Sequence, residues 1–284
     1  MSNKYALEHK KNSGKTAIYT TIVVLSWVLG IPLLFAVGPF AMIIIFLGTI
    51  IGMLGLVFIG GAQSKNIKGF KEEYVIPRMM DFFSDFEYKL DDSLQTSTIR
   101  TLKLFDTGDT IHTDELIKGR YRDCSFAMGN VKCTETHRDS DGDTHTTTVF
   151  SGRLIIIGTS VIDEGEVTIR PRRMFSYPFR RGQILEYDHP ICDRFEIRGT
   201  DYTELPKYLL DHINSFANIF SKYKFYYKIV NDRIYLAIDR IEDLYTVRNF
   251  SDTSLETIDE IIKKDSVFFT NLISLILDAK AKGR

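Results

Sequence analysis

The sequence predicts an α+β protein: an N-terminal two-helix transmembrane hairpin, a cytosolic α+β domain with a small antiparallel sheet, and a long C-terminal helix. Three observations predict it. Residues 16 to 64 contain no Asp, Glu, Lys or Arg, residues 91 to 200 are rich in alternating and β-branched runs, and the last third carries apolar residues at helical spacing. The parts divide as a cytosolic tail (1–15), the hairpin (16–64), a juxtamembrane helix (65–96), the α+β domain (97–250) and the final helix (251–284).

A bilayer core about 30 Å thick needs about 20 apolar helical residues at a rise of about 1.5 Å each. Two such spans fit the uncharged stretch, residues 16 to 37 and 40 to 60, with Gly38-Pro39 between them. Pro lacks a backbone donor and restricts the residue before it, while Gly accepts a tight reversal. Lys4, Lys10, Lys11 and Lys15 precede the first span, Lys65, Lys68, Lys71 and Arg78 follow the second, and the turn has no basic residue. The positive-inside rule therefore places both termini and the large domain in the cytoplasm. A cleavable signal peptide is the competing reading, but the apolar run is too long for it and a second span follows at once.

Gly48, Gly52 and Gly55 punctuate the second span. The Gly48-x-x-x-Gly52 spacing lets two helix backbones approach closely, either within this hairpin or between two copies in a homo-oligomer. Neither span contains an ionisable residue, which argues against an autonomous ion or proton pathway.

After the membrane, Phe70, Tyr74, Phe82, Phe83, Phe86 and Leu90 recur near helical spacing, predicting a helix over residues 67 to 90 that Pro77 kinks or divides. Residues 120 to 136 and 144 to 158 predict a two-strand ribbon turning at Asp139-Ser140-Asp141-Gly142-Asp143. Shorter strands follow near residues 166–170, 183–187 and 194–198. Leu205, Leu209, Ile213, Phe216 and Phe220 form one stripe of a helix over residues 204 to 221, capped by Thr203. Alternating runs on either side of Asn231-Asp232 predict a hairpin. Thr253 with Glu256 has the spacing of a capping box and opens the last helix.

In this order the features resemble those of a bacterial family, domain-of-unknown-function family 3137. The resemblance covers roughly residues 66 to 248. It rests on Phe70-Lys71-Glu72-Glu73-Tyr74-Val75-Ile76, Leu104-Phe105, Asp114-Glu115-Leu116-Ile117-Lys118-Gly119, Phe150-Ser151-Gly152-Arg153-Leu154 and Ile234-Tyr235-Leu236-Ala237-Ile238. Members carry a hydrophobic hairpin before the domain. The resemblance implies a membrane-associated bacterial module, with no established reaction or functional residues to carry over; together with the two spans and their basic flanks it places the chain in the bacterial inner membrane, multi-pass.

Removing Lys4, Lys10, Lys11, Lys15 and Glu8 from the 36 basic and 37 acidic residues leaves the part beyond residue 64 with a formal charge of −4. That disfavours a general nucleic-acid binder. Cys124, Cys133 and Cys192 are odd in number and lack metal-type spacing, as expected of reduced thiols. His137, Asp139, Asp141, Asp143 and His145 are candidate metal ligands around the polar turn. They do not follow the calcium-loop pattern, and Asp, Ser and Gly are also what a solvated turn selects. No cofactor is expected.

Arg170, Arg172, Arg173, Arg180 and Arg181, interleaved with Phe175, Tyr177 and Phe179, are candidates for lipid or phosphate contact at an anionic membrane surface. The competing reading is a solvated loop whose aromatics plug the core. His112 near Asp109 and Asp114, His189 near Asp188, and Cys124 near Asp123 are available for catalysis, but none sits in a nucleophile elbow, phosphate-binding glycine loop or paired-His metal motif. The reading these observations favour is a membrane-anchored interaction module for a protein or lipid partner. The alternatives are a membrane-bound hydrolase acting on a lipid-borne or phosphorylated substrate, and an accessory subunit of a transport or secretion assembly.

Overall fold

The computed structural model describes residues 4–37, 40–122, 124–159, 165–172, 182–200, 205–219, 221, 223–230, 232–239 and 255–282. The chain divides into two compact units, Met1–Arg78 with Val247–Ile262, and Met79–Thr246 with Lys263–Arg284. Nearly half of it is helical and about a third is strand, so the α+β class stands (48% and 34%).

The first unit is built on two long helices, α1 (Lys4–Val37) and α2 (Phe40–Phe70), both long and apolar enough to cross a membrane. They pack antiparallel through small residues. A Cβ added at Gly48 would meet the Ser26 side chain, one at Gly52 the Val23 side chain, one at Gly55 the Tyr19 ring, and one at Gly30 the Ile45 side chain. Backbone approach of this kind is what glycine permits between apolar helices. Several hydroxyls in this region bond to their own helix. Thr21, Ser26 and Thr49 donate to the carbonyls of Ala17, Val23 and Ile45 at 2.7–2.8 Å, which satisfies them without water.

The outward faces carry Val24, Leu25, Trp27, Leu29, Phe35, Ile43, Phe46, Leu54, Val57 and Phe58, all exposed. Only 6% of the α1 apolar segment and 22% of the α2 segment is buried, whereas a core helix of a soluble fold would be mostly buried.

Past α2 the helix widens to one π-helical turn, Lys71–Val75, before α3 (Ile76–Met79). Phe70 and Tyr74 stack at 5.3 Å. The Arg78 guanidinium lies 3.3 Å over the Tyr74 ring and pairs with Asp259 of the C-terminal helix, and the Tyr74 hydroxyl donates to that carboxylate at 3.1 Å. Burial, then the Asp259 bond, raise the Tyr74 pKa.

The juxtamembrane helix expected over residues 65 to 96 stops at Met79. A turn closed by the Phe82 N–H on the Met79 carbonyl leads instead to β1 (Ser84–Lys89). The aromatic residues that mimicked a helical stripe are recruited by tertiary contacts. Phe83 meets Phe126 at 5.0 Å and Phe269 at 5.8 Å, and Tyr88 donates to Glu115 at 2.9 Å.

The sheet of the second unit is also larger than expected. Among the described residues it has nine strands, all antiparallel, in the order β1-β2-β3-β4-β9-β8-β5-β7-β6. The remaining strands are β2 (Thr110–Tyr121), β3 (Cys124–Arg138), β4 (Thr144–Gly158), β5 (Glu166–Pro171), β6 (Gln183–Ile184), β7 (Phe195–Gly199), β8 (Lys224–Val230) and β9 (Arg233–Asp239). Most of β2 was illegible because a bulge between Asp114 and Ile117, with Glu115 at φ +55°, breaks its alternation. The ribbon β3–β4 and the hairpin β8–β9 lie close to where the alternating runs put them.

Helices cover both faces of the sheet. On one lie α6 (Lys207–Ile219) and the later turns of α7 (Leu255–Lys282), with Phe216 against Phe225 at 4.8 Å and Phe269 against Phe126 at 4.8 Å. On the other lies α4 (Thr96–Leu102), a short helix that periodicity did not reveal. Ile99, Leu102, Leu104 and Phe105 pack there against Val131, Cys133, Phe150, Leu154 and Tyr226, with Phe105 stacked on Phe150 at 3.8 Å. α5 (Ile191–Arg194) is a single turn before β7.

Candidate functional site

Strand alternation divides β5 cleanly. Val167 and Ile169 are fully buried on the α6–α7 face, whereas Glu166, Thr168 and Arg170 face the side of α4. β7 repeats the pattern, with Phe195 and Ile197 buried and Glu196 and Arg198 on the α4 side. β8 contributes Lys228. These side chains form the floor of a cleft of about 600 Å³, roofed on one side by Ser97, Thr98 and Thr101 of α4. A second cleft of about 550 Å³ lies beside it and shares Lys103, Arg170 and Glu196.

The floor is a checkerboard of charge. In register, Arg170 stands opposite Glu196, and Thr168 stands between Arg198 and Lys228. Lys228 bridges to Glu166 at 2.7 Å and donates to the Leu102 carbonyl at 3.0 Å. Arg198 pairs with Glu196 at 2.7 Å and donates to the Gly182 carbonyl at 3.0 Å. Arg170 donates to the Lys103 carbonyl. Two cations therefore sit at the C-terminus of α4, where the last carbonyls and the helix dipole favour positive charge. Lys103 itself, at φ +50°, turns the chain out of the helix and stands exposed between the two clefts.

Charge is a costly way to line a sheet face beneath a helix. Ion pairs this withdrawn, with Lys228 and Arg198 side chains only 11% and 18% exposed, give up solvation that well-packed apolar residues do not. The arrangement suits a ligand that is itself charged and rich in hydrogen-bonding groups. Among the described residues that line either cleft there is no histidine or cysteine; the side chains available for chemistry are hydroxyls, carboxylates and amines.

The sequence-predicted sites fare differently. Arg170 and Arg172 reach the clefts, though Arg170 is engaged at α4 and Arg172 donates to the Phe195 carbonyl at 3.4 Å. Arg173, Arg180 and Arg181 lie outside the described residues, as does Asp123. In the polar turn, His145 pairs with Asp139 at 3.1 Å and His137 with Glu135 at 3.3 Å, while the Asp139 N–H and the Asp143 carbonyl close the turn at 2.8 Å. Among the described residues no three His, Cys, Asp or Glu side chains converge as a metal site, so Asp141 and Asp143 join no cluster with them.

His189 takes Asp211, not Asp188, as its partner at 2.9 Å. Its Nδ1 accepts the Ile191 N–H at 3.2 Å, which places the ring proton on Nε2 and commits both nitrogens. His112 lies exposed, 3.9 Å from Asp114. Cys124 is buried with its thiol directed at the Gly158 carbonyl, and burial pushes the Cys133 thiol up to about 12, which disfavours its thiolate.

Sequence reasoning missed Lys103, Glu166, Glu196, Arg198 and Lys228. The available signal was the period-two alternation of charge with buried apolar residues along β5 and β7.

Fold and cleft together define an α+β protein that carries an apolar helical hairpin and an open charged cleft. No family model matches the sequence, and no curated protein does. Among solved structures, the mycobacterial trehalose monomycolate transport factor A, TtfA, aligns with 71% of this chain and 95% of its own at 10% identity and a TM-score of 0.29. A likeness of that size transfers neither fold nor function.

Proposed function

We propose that the chain is a membrane-anchored interaction module whose hairpin spans the bacterial inner membrane with both termini cytoplasmic, and whose domain holds a protein or lipid partner at the inner face. The resemblance to family 3137 belongs to the same proposal. The observation that carries it is the hairpin. Its two apolar helices seal to each other through small residues and turn their large apolar side chains outward, an arrangement that an apolar surrounding favours. The lysines at the open end of the hairpin support that orientation.

The cleft beside Lys103 is the part of the domain best suited to a partner. A tethered module needs only modest affinity, because the anchor raises its effective concentration at the surface.

The test has two readouts. In sealed spheroplasts, protease added outside should spare the region beyond Lys65 until the membrane is opened; digestion before opening refutes the orientation. A photocrosslinking amino acid at position 103 should yield a defined protein or lipid adduct in native membranes, and an absence of any adduct refutes the cleft as the docking site.

A further inference from the structure

We propose that the open end of the hairpin is a binding site for the phosphate headgroups of anionic phospholipids. This rests on the membrane reading above and assigns lipid contact to a different place from the arginines near residue 170.

The argument starts from helix register. Gly55 meets Tyr19, Gly52 meets Val23, Gly48 meets Ser26 and Ile45 meets Gly30, so facing residues sum to 74 or 75 along the whole seam. Both helices continue unbroken toward the open end, α1 back to Lys4 and α2 on to Phe70. The same register sets Lys65 level with residues 9 and 10, next to Lys11, and Lys68 about one turn further out. Lys15 stands about one turn nearer the spans. At about 1.5 Å per residue these four cations occupy a band about 13 Å deep at the open end of the helix pair. Lys11, Lys15 and Lys65 are exposed and Lys68 is half-buried. The only acid in residues 4 to 15 or 60 to 70 is Glu8.

Position selects the partner. Immediately inward of Lys15 the surface turns apolar, with Ile18 59% exposed. The lysine stems thus start where acyl chains end, and their ammonium groups reach the headgroup layer. A lipid whose chains lie against the outward apolar face would bring its phosphate to this band. Anionic headgroups gain most, because each basic group near such a surface adds an attraction that the net-neutral phosphatidylcholine headgroup does not return.

Trp27 is the chain's single tryptophan and stands half exposed on the outer face of α1. It lies twelve residues from Lys15, about 18 Å inside the band. It therefore reports on lipids at the hairpin surface. In the full chain reconstituted in phosphatidylcholine, chain-brominated phosphatidylglycerol should quench Trp27 more strongly than chain-brominated phosphatidylcholine at equal mole fraction, with roughly a threefold or greater preference at low salt that shrinks as salt rises. The K11Q/K15Q/K65Q variant should lose the preference, while K11R/K15R/K65R keeps it and shows that the reconstituted fold tolerates change there. R100Q/R172Q, in the second cleft, should keep it too. Equal quenching of the native chain by both lipids overturns the site, as does a preference that survives the Gln variant or vanishes in R100Q/R172Q. No quenching by either lipid would instead overturn the membrane reading itself.

Discussion

A side chain at position 52 has nowhere to go, because the space beyond the Gly52 Cα is filled by Val23 of the facing helix. Gly52→Leu should push α1 and α2 apart and lower hairpin stability by about 1–3 kcal/mol, the usual cost of overpacking, read as an earlier midpoint in detergent titration of the full chain. His212 acts through charge. It is buried on α6, and burial lowers its pKa below the ordinary 6.5. The neutral ring is native, so its contribution is complete above about pH 6.5 and is lost as pH falls toward the lowered native value, below which it changes no further. His212→Gln should flatten that part of the stability profile, measured as urea midpoints across the acid range. Neither role was legible in the sequence, since Gly52 fits two partners and His212 differs from an exposed histidine only in what covers it.

Seven residues are few for a helix, and α4 persists because its surroundings hold it. Ile99 and Leu102 are buried against the sheet, and Lys228 and Arg170 bond the carbonyls at its C-terminal end. Lys228→Met keeps most of the stem's packing but removes the bond to Leu102 and leaves Glu166 without this cation. It should cost about 2 kcal/mol in chemical denaturation and loosen the helix, seen as faster amide exchange in residues 99 to 102. The elements that were legible have regular periods: β3, β4, β8, β9, α6 and α7. Those that were not, β1, β2 and α4, depend on bulges or on distant partners. Phe82, Phe83, Phe86 and Leu90 show the limit well, since their spacing matches a helical stripe while long-range aromatic contacts draw Phe83 into the core and β1 pairs with β2.

The whole molecule joins an apolar hairpin to an α+β fold with a charged cleft. In vesicles, Trp27 should emit as a group in an apolar environment and resist quenching by iodide added to the water. Ready iodide quenching in sealed vesicles would mean that the outer face of α1 is wet. What the sequence determined by itself is what composition and period can express: the two apolar spans, the basic flanks, the α+β class and the regularly alternating strands β3, β4, β8 and β9. Only the tertiary structure decided that the glycines of α2 meet α1 of the same chain, that the described residues form one sheet of nine strands, and that Glu166, Glu196, Arg198 and Lys228 share one floor. The reason is physical. Burial of apolar surface follows local pattern, whereas a site made of paired charges exists only where strand register and helix packing bring residues far apart in the chain within hydrogen-bonding distance.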